Sequence, residues 1–169
     1  MEILKLATDW ARAEVFSTRF FMLFATFFLI ASLVFWQLGK TEIAKAYVIP
    51  TLVADSMLMI IGAGLFYTNK TRVKQFEVAY NEDARAFIDS EYERIESTLN
   101  EYKTIVFKII PLMIIASALV IIFVNSSVWR ASMITTIAML ITILLVDGTA
   151  HGRIAEYKAQ LQQLDQNGE

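Results

Sequence analysis

The chain has 169 residues, of which 56% are hydrophobic and 19% charged, and its mean hydropathy is +0.51. A typical soluble domain is roughly half apolar and about a quarter charged, so this composition excludes an ordinary soluble protein and indicates a membrane protein. A net charge of −2 at pH 7 excludes nucleic acid as a natural partner, and the absence of cysteine excludes disulfides, thiolate metal sites and cysteine nucleophiles.

The N-terminal segment, residues 1–16, is predicted to form an amphipathic helix. Ile3, Leu6, Trp10 and Ala13 share one face at steps of three and four, and Lys5, Asp9 and Arg12 lie elsewhere. Such a helix is expected either to lie in the membrane interface or to dock onto other helices of the protein.

Four further segments are apolar and long enough to cross about 30 Å of hydrocarbon, which takes roughly 20 residues of helix. These predicted spans are residues 20–38, 47–67, 105–124 and 128–146. Twelve of the fifteen Lys and Arg residues lie on the side that holds both termini and the segment between the second and third spans. The positive-inside rule therefore predicts a multi-pass protein of a bacterial cytoplasmic (inner) membrane with both termini in the cytoplasm.

The central segment, residues 70–103, contains no Gly or Pro and is predicted to be helical. Its apolar residues recur mostly at steps of three and four: Val73, Phe76, Tyr80, Ala84, Phe87, Ile88, Tyr92, Ile95, Leu99 and Tyr102. Both flanking spans must return to the same membrane face, so the segment must turn. The best turn is at residues 80–83, Tyr-Asn-Glu-Asp, where Asn81 can cap a new helix.

The sequence therefore predicts an all-α polytopic membrane protein, a single domain over residues 1–169 with four transmembrane helices in two hairpins. The second span is expected to continue as helix to about Tyr80, and a helix from about Glu82 is expected to run into the third span. Together they would form a cytoplasmic helical hairpin, or stalk, resembling a short coiled coil. Residues 151–164 are predicted to extend the fourth span in the same way.

A short pattern, T-x-x-x-R-[VI]-x-x-[FY], follows the second span at Thr68–Phe76 and the fourth at Thr149–Tyr157. One interpretation is a parallel repeat of two membrane hairpins. The other is that an arginine at the inner interface is common in such helices, and both alternatives stay open.

Asp55 lies near the middle of the second predicted span, where an ionised carboxylate is costly unless it faces the bundle interior, a partner or water. One interpretation is a protonatable or cation-binding group on a transport path. The other is a structural carboxyl, hydrogen-bonded to a hydroxyl of the other spans; the candidates are Ser117, Thr135, Thr136 and Thr142.

Asp147, His151 and Arg153 cluster at the inner end of the fourth span. Asp147 and His151 are four residues apart and share a helical face, so they could form an acid–imidazole pair for catalysis or pH sensing. Interfacial anchoring is the usual role of polar residues at this position. The sequence predicts no metal site, no cofactor and no catalytic residue set, since ligand spacing and nucleotide or nucleophile motifs are absent from it.

Lys70, Arg72 and Lys74 form a basic trio just after the second span. They could contact anionic lipid headgroups, or they could simply satisfy the positive-inside rule. The acidic stretch at residues 89–96 is predicted to be a solvated helix face or a docking surface for a cytoplasmic protein partner.

Small residues recur along one edge of the first and fourth spans, at Thr18, Ala25, Ser32, Ser132, Thr135, Ala138 and Thr142. Such edges serve helix packing within a chain and between chains alike. We expect a non-enzymatic homo-oligomer in the lipid bilayer, working as a scaffold or a pore. The alternatives are a small proton- or ion-coupled transporter that uses Asp55 and an interfacial membrane enzyme that uses His151 and Asp147.

Overall fold

The computed structural model describes residues 1–167, which are built of α-helices, so the all-α prediction is confirmed. In chain order the helices are α1 (Glu2–Leu38), α2 (Glu42–Ala46), α3 (Val48–Glu82), α4 (Ala84–Glu101), α5 (Ile110–Phe123) and α6 (Ser127–Gln166), with a π-helical segment at Tyr102–Ile109 between α4 and α5. Four helical stretches are long and apolar enough to cross a membrane: α1, α2 with α3, α4 through α5, and α6.

The helices divide by composition into two sections. The apolar section comprises residues 20–38, 47–67, 105–124 and 128–146, and the polar section comprises residues 1–19, 68–104 and 147–167. Each section has its own core of buried side chains. Because α1, α3 and α6 each run from one section into the other without a break, they hold the polar side chains near the boundary in fixed positions.

The predicted N-terminal helix, residues 1–16, is the start of α1 rather than a separate element. Its side chains Ile3 and Trp10 are 0% and 8% exposed. They belong to the core of the polar section together with Ile154 and Leu161 of α6. Of the two arrangements expected for this segment, the structure therefore has the docked one.

The turn between α3 and α4 falls at Asp83, and the predicted cap at Asn81 is wrong. Asn81 and Glu82 continue α3. Asp83 has an extended backbone, and its Oδ1 accepts hydrogen bonds from the backbone N–H groups of Arg85 and Ala86, both at 3.0 Å. This carboxylate satisfies two donors of the first turn that have no acceptor within the helix, and a negative charge there is favoured by the helix dipole.

The small-residue edges are used mainly for packing within the chain. In α1, Thr18, Ala25 and Ser32 are at most 5% exposed, and the Ser32 hydroxyl donates a hydrogen bond of 2.9 Å to the carbonyl of Val48. In α6, Thr135 and Thr142 are also buried. These residues are therefore covered by neighbouring helices of the same chain.

The helix α5 is the peripheral helix of the apolar section. Among the described residues it packs only against α6 and against the π-helical segment that precedes it. Ile110 and Ser117 are its buried residues. Pro111, in its first turn, has no N–H to donate to the carbonyl of Phe107, so the α-helical hydrogen-bond ladder is interrupted where the π-helical segment ends.

Candidate functional site

A cavity of about 320 Å³ lies at the boundary of the apolar and polar sections, enclosed by α1, α3, α6 and the end of α4 with the π-helical segment. The side of the cavity that belongs to the apolar section is lined by residues that include Phe21, Leu65, Ile105, Val106 and Val146. The side that belongs to the polar section is lined by residues that include Trp10, Glu14, Asn69, Arg72, Arg94 and Asp147. Ligand pockets span about 300–1,000 Å³, so this junction cavity has the size and the mixed lining of a small-ligand site.

An ion pair between α1 and α6 fixes one wall of the junction cavity. The Nε atom of Arg153 donates a hydrogen bond of 2.9 Å to Oε1 of Glu14, whose side chain is 11% exposed. The Nη2 atom of Arg153 is buried and has no hydrogen-bond partner within residues 1–167. Glu14 is therefore an ionic anchor for Arg153, one of the three residues in the predicted interface cluster.

The other two members of that cluster do not form the acid–imidazole pair within residues 1–167. Asp147 lines the junction cavity, and no hydrogen bond within residues 1–167 joins it to His151. The His151 ring instead packs edge-on against Tyr102 and Phe107, with ring centroids 5.7 and 5.1 Å away. Burial, and then the nearby Glu14 carboxylate, raise the pKa of Asp147, one residue beyond the predicted span, to about 6. Asp147 is thus a carboxyl that lines the cavity and has no cationic partner within residues 1–167.

The predicted basic trio also divides. Lys70 and Lys74 are exposed, whereas Arg72 is half-buried and lines the junction cavity. Its Nη1 donates a hydrogen bond of 3.0 Å to Oδ1 of Asn69, a residue that is 4% exposed. Burial, and then the charge of Arg94, lower the pKa of Arg72. Arg72 stays cationic at neutral pH because a guanidinium begins far above that range, and within residues 1–167 it forms no ion pair within 4 Å.

A buried network beside the cavity joins α1, α4 and α6. Glu91 is 3% exposed and accepts two hydrogen bonds from Arg94, 2.8 Å from Nε and 2.7 Å from Nη2. Oε2 of Glu91 also accepts a hydrogen bond of 2.8 Å from the Tyr157 hydroxyl. The Trp10 ring has the Arg94 guanidinium 4.3 Å from its centroid and stacks on Tyr157 at 5.3 Å. Burial and the Glu91 carboxylate raise the pKa of Tyr157, so its hydroxyl stays protonated as a donor.

Sequence reasoning missed Glu14, Asn69 and Glu91 as site residues. For Glu14 and Glu91 the sequence did carry a signal, because each lies at a position on the apolar face of its helix. Glu14 follows Trp10 by four residues, and Glu91 follows Ile88 by three and precedes the next buried isoleucine by four. A charged residue at a core position is retained only when a partner neutralises it. Asn69 carried no comparable signal.

The acidic stretch at residues 89–96 is not the uniformly solvated face that the sequence predicts. Glu91 is buried in the network, Asp89 forms an ion pair of 3.2 Å with Arg85, and Glu96 pairs with Lys158 of α6. The correction has a physical reason: α6 lies against α4 and supplies a tyrosine and a lysine to these carboxylates.

Asp55 lies apart from the junction cavity, inside the apolar section. It is 8% exposed, and its Oδ1 atom is buried with no hydrogen-bond partner within residues 1–167. One of the hydroxyls considered for it, that of Thr142, donates instead to the carbonyl of Ala138 at 3.0 Å. Asp55 therefore occupies the bundle interior, where a carboxyl is costly.

These features describe an all-helical protein with four helices able to cross a membrane and a polar cavity where their apolar stretches end. Among residues 1–167, no group of three or more His, Asp or Glu side chains is placed to hold a metal ion. Comparison of the chain with protein-family models, curated proteins and solved structures found no match. The functional interpretation therefore depends on the residues described above.

Proposed function

We propose that the protein is a non-enzymatic, multi-pass protein of a bacterial cytoplasmic membrane that works as a homo-oligomeric scaffold. Its four long helices would cross the bilayer as two hairpins, with both termini and the polar section in the cytoplasm. The polar section has a core of its own, in which residues from α1, α3, α4 and α6 meet. A rigid stalk of this kind suits a protein that presents a cytoplasmic surface to partners.

The position of α5 is the observation that supports a homo-oligomer. A helix in a membrane bundle usually packs against two or more neighbours, but among the described residues α5 has one neighbouring helix, α6. Its large apolar side chains are left exposed: Leu112, Met113, Ile115, Leu119, Ile122 and Phe123. We infer that a second copy of the chain covers this face.

The interior of the bundle favours a scaffold over a pore within one chain. Phe21, Ala25 and Leu58 fill the space between α1 and α3 and are at most 2% exposed. Side chains packed this closely leave no water-filled path between α1 and α3. A pore would therefore require a channel between subunits.

The test of the oligomer uses the absence of cysteine from the chain, which makes single-cysteine variants direct probes. We expect Ile115→Cys, on the exposed face of α5, to form disulfide-linked dimers when membranes are oxidised. Ile30→Cys, on α1 and similarly exposed at 51% against 57%, is the control and should stay monomeric on denaturing gels. Native mass spectrometry in nanodiscs should show a mass above that of one chain. Monomer alone by mass spectrometry, or crosslinking equal at both positions, contradicts the proposal.

A second candidate function, proton- or ion-coupled transport, is favoured by one observation. Asp55 is buried in the bundle with an unpartnered carboxyl oxygen, and intramembrane acids mark ion and proton paths in many transporters.

Under this alternative, proteoliposomes containing the protein should show a proton or cation flux that Asp55→Asn reduces at least about tenfold, because the amide cannot carry a proton. Flux is measured with a pH-sensitive dye and with K⁺ or Na⁺ gradients. Ser56→Ala, next in sequence and exposed, is the control. Flux that is unaltered in Asp55→Asn excludes this candidate.

A further inference from the structure

We propose that the junction cavity binds the headgroup of an ethanolamine phospholipid, with its phosphate at Arg72 and its ammonium at Asp147. The inference rests on the proposed membrane placement of the bundle and not on its oligomeric state. A monomeric protein that retains the lipid would contradict the scaffold while supporting this site.

Within residues 1–167, three charged side chains that line the cavity form no ion pair: the cation Arg72 and the carboxylates Asp147 and Glu101, of which Glu101 is exposed to solvent. Glu14 is paired with Arg153, and Arg94 is paired with Glu91. Arg72 has only the amide oxygen of Asn69 as its hydrogen-bond acceptor, and Asp147 is in no ion pair within residues 1–167. A ligand that carries both a negative and a positive group therefore complements the cavity better than an anion or a cation alone.

Arg72 and the half-buried Asp147 complement the two ends of a phosphoethanolamine headgroup in charge. A guanidinium presents several N–H donors to phosphate oxygens, and a carboxylate accepts hydrogen bonds from a primary ammonium. Trp10 lines the same cavity and is 8% exposed, and its buried Nε1 has no hydrogen-bond partner within residues 1–167. The guanidinium donors of Arg72 suit an oxygen-rich acceptor such as phosphate.

The apolar side of the cavity favours a lipid over a soluble zwitterion. Phe21, Leu65 and Val146 line it where the predicted spans begin and end, at the depth where the glycerol and first acyl carbons of an inner-leaflet lipid lie when the polar section is cytoplasmic. A soluble zwitterion of the same charges would leave this apolar wall unused. A lipid headgroup and a soluble zwitterion carry the same pair of opposite charges, and the experiment described next distinguishes between them.

The experiment measures lipid retention by the full-length protein. Protein in mild detergent is incubated with equal amounts of phosphatidylethanolamine, phosphatidylglycerol and phosphatidylcholine with identical acyl chains, and bound lipids are counted by native mass spectrometry. Phosphatidylglycerol lacks the ammonium, and the quaternary ammonium of phosphatidylcholine has no N–H to donate. We expect a preference of about tenfold for phosphatidylethanolamine, the size of one charge-assisted hydrogen bond.

Two variants and two matched controls assign the site. Asp147→Asn should remove the preference for phosphatidylethanolamine over phosphatidylglycerol, and Arg72→Gln should reduce retention of all three lipids. Glu156→Gln on α6 and Lys70→Gln on α3 alter exposed charges on the same helices and should leave the wild-type pattern intact. Thermal melting, monitored by circular dichroism, confirms that each variant is folded. If Asp147→Asn is unstable, Asp147→Glu is used as well; it keeps a carboxylate and should retain part of the preference for phosphatidylethanolamine.

Several results would overturn the inference. Equal retention of phosphatidylglycerol and phosphatidylethanolamine by the wild type removes the role of the ammonium. A preference that survives in Asp147→Asn removes the role of that carboxyl, and a Lys70→Gln effect equal to that of Arg72→Gln reduces the finding to general surface charge. Soluble phosphoethanolamine that binds while no phosphatidylethanolamine is retained replaces the lipid with a soluble zwitterion.

Discussion

Replacing Gly62 by alanine is expected to destabilise the protein, whereas the same replacement at Gly64 is not. A Cβ atom added at Gly62 would lie 2.9 Å from the Cβ of Phe21 and 3.3 Å from the backbone nitrogen of Met22. Neither neighbour is the end of a flexible side chain, so α1 and α3 would have to move apart. At Gly64 an added Cβ meets no atom within 4 Å, which makes this position the matched control two residues away.

Overpacking of this kind typically costs about 1–3 kcal/mol, and α1 with α3 is the most extensively packed pair of helices in the structure. We therefore expect Gly62→Ala to lower the free energy of unfolding by about 2 kcal/mol and Gly62→Val to lower it further. Unfolding is measured by titration with SDS in mixed micelles, followed by tryptophan fluorescence. An equal free energy of unfolding for Gly62→Ala and Gly64→Ala would show that the close approach of α1 and α3 does not limit stability.

The parts of the fold that could be predicted from the sequence are those that depend on periodicity. Phe76, Phe87, Ile95 and Leu99 lie in the predicted stripe of the central segment, and all four are buried. The predicted turn at residues 80–83 contains the observed turn at Asp83, but the predicted capping residue, Asn81, is wrong. Asn81 and Asp83 are both good N-cap residues, so propensity alone does not choose between them.

The site could be predicted much less well, because it depends on which helices come together. Asp147 and Arg72 were singled out for their position in the chain, but their unpaired state follows from neighbours far away in sequence. Glu14 and Arg153 are 139 residues apart, and Glu91 and Tyr157 are 66 apart. No local pattern encodes such pairs. A charged residue on the apolar face of a helix, such as Glu91, indicates that a partner neutralises it, but the pattern does not show which residue the partner is.

Replacing Glu91 by glutamine is expected to destabilise the polar section strongly. Glu91 accepts three hydrogen bonds, two from Arg94 and one from Tyr157. In Glu91→Gln, the side chain of Arg94, which is 18% exposed, keeps its charge without a carboxylate. Removing one partner of a buried ion pair costs about 3–5 kcal/mol. We expect a loss of about 3 kcal/mol, since the glutamine oxygen can still accept one hydrogen bond.

The control is Glu93→Gln, which removes an exposed charge from the same helix and should change the free energy of unfolding by less than about 0.5 kcal/mol. Both variants are measured by SDS titration in mixed micelles, with the far-ultraviolet circular dichroism of the protein as the signal. Equal stability of Glu91→Gln and Glu93→Gln would show that the buried carboxylate makes no net contribution.

A double-mutant cycle separates the charge of Glu91 from its hydrogen bond to Tyr157. Tyr157→Phe removes one donor and leaves the ion pair with Arg94 in place, and a hydrogen bond to a charged group contributes about 1.5–3 kcal/mol. Because the two side chains are in contact, the double variant should lose less stability than the sum of the single variants. The combined change Glu91→Gln with Arg94→Gln should recover part of the loss from Glu91→Gln alone, since it leaves no unpaired charge beside Trp10. Such a recovery would show that Glu91→Gln loses stability because the Arg94 guanidinium is left without a carboxylate. If there is no recovery, the loss of stability comes from lost packing at the junction of α1, α4 and α6.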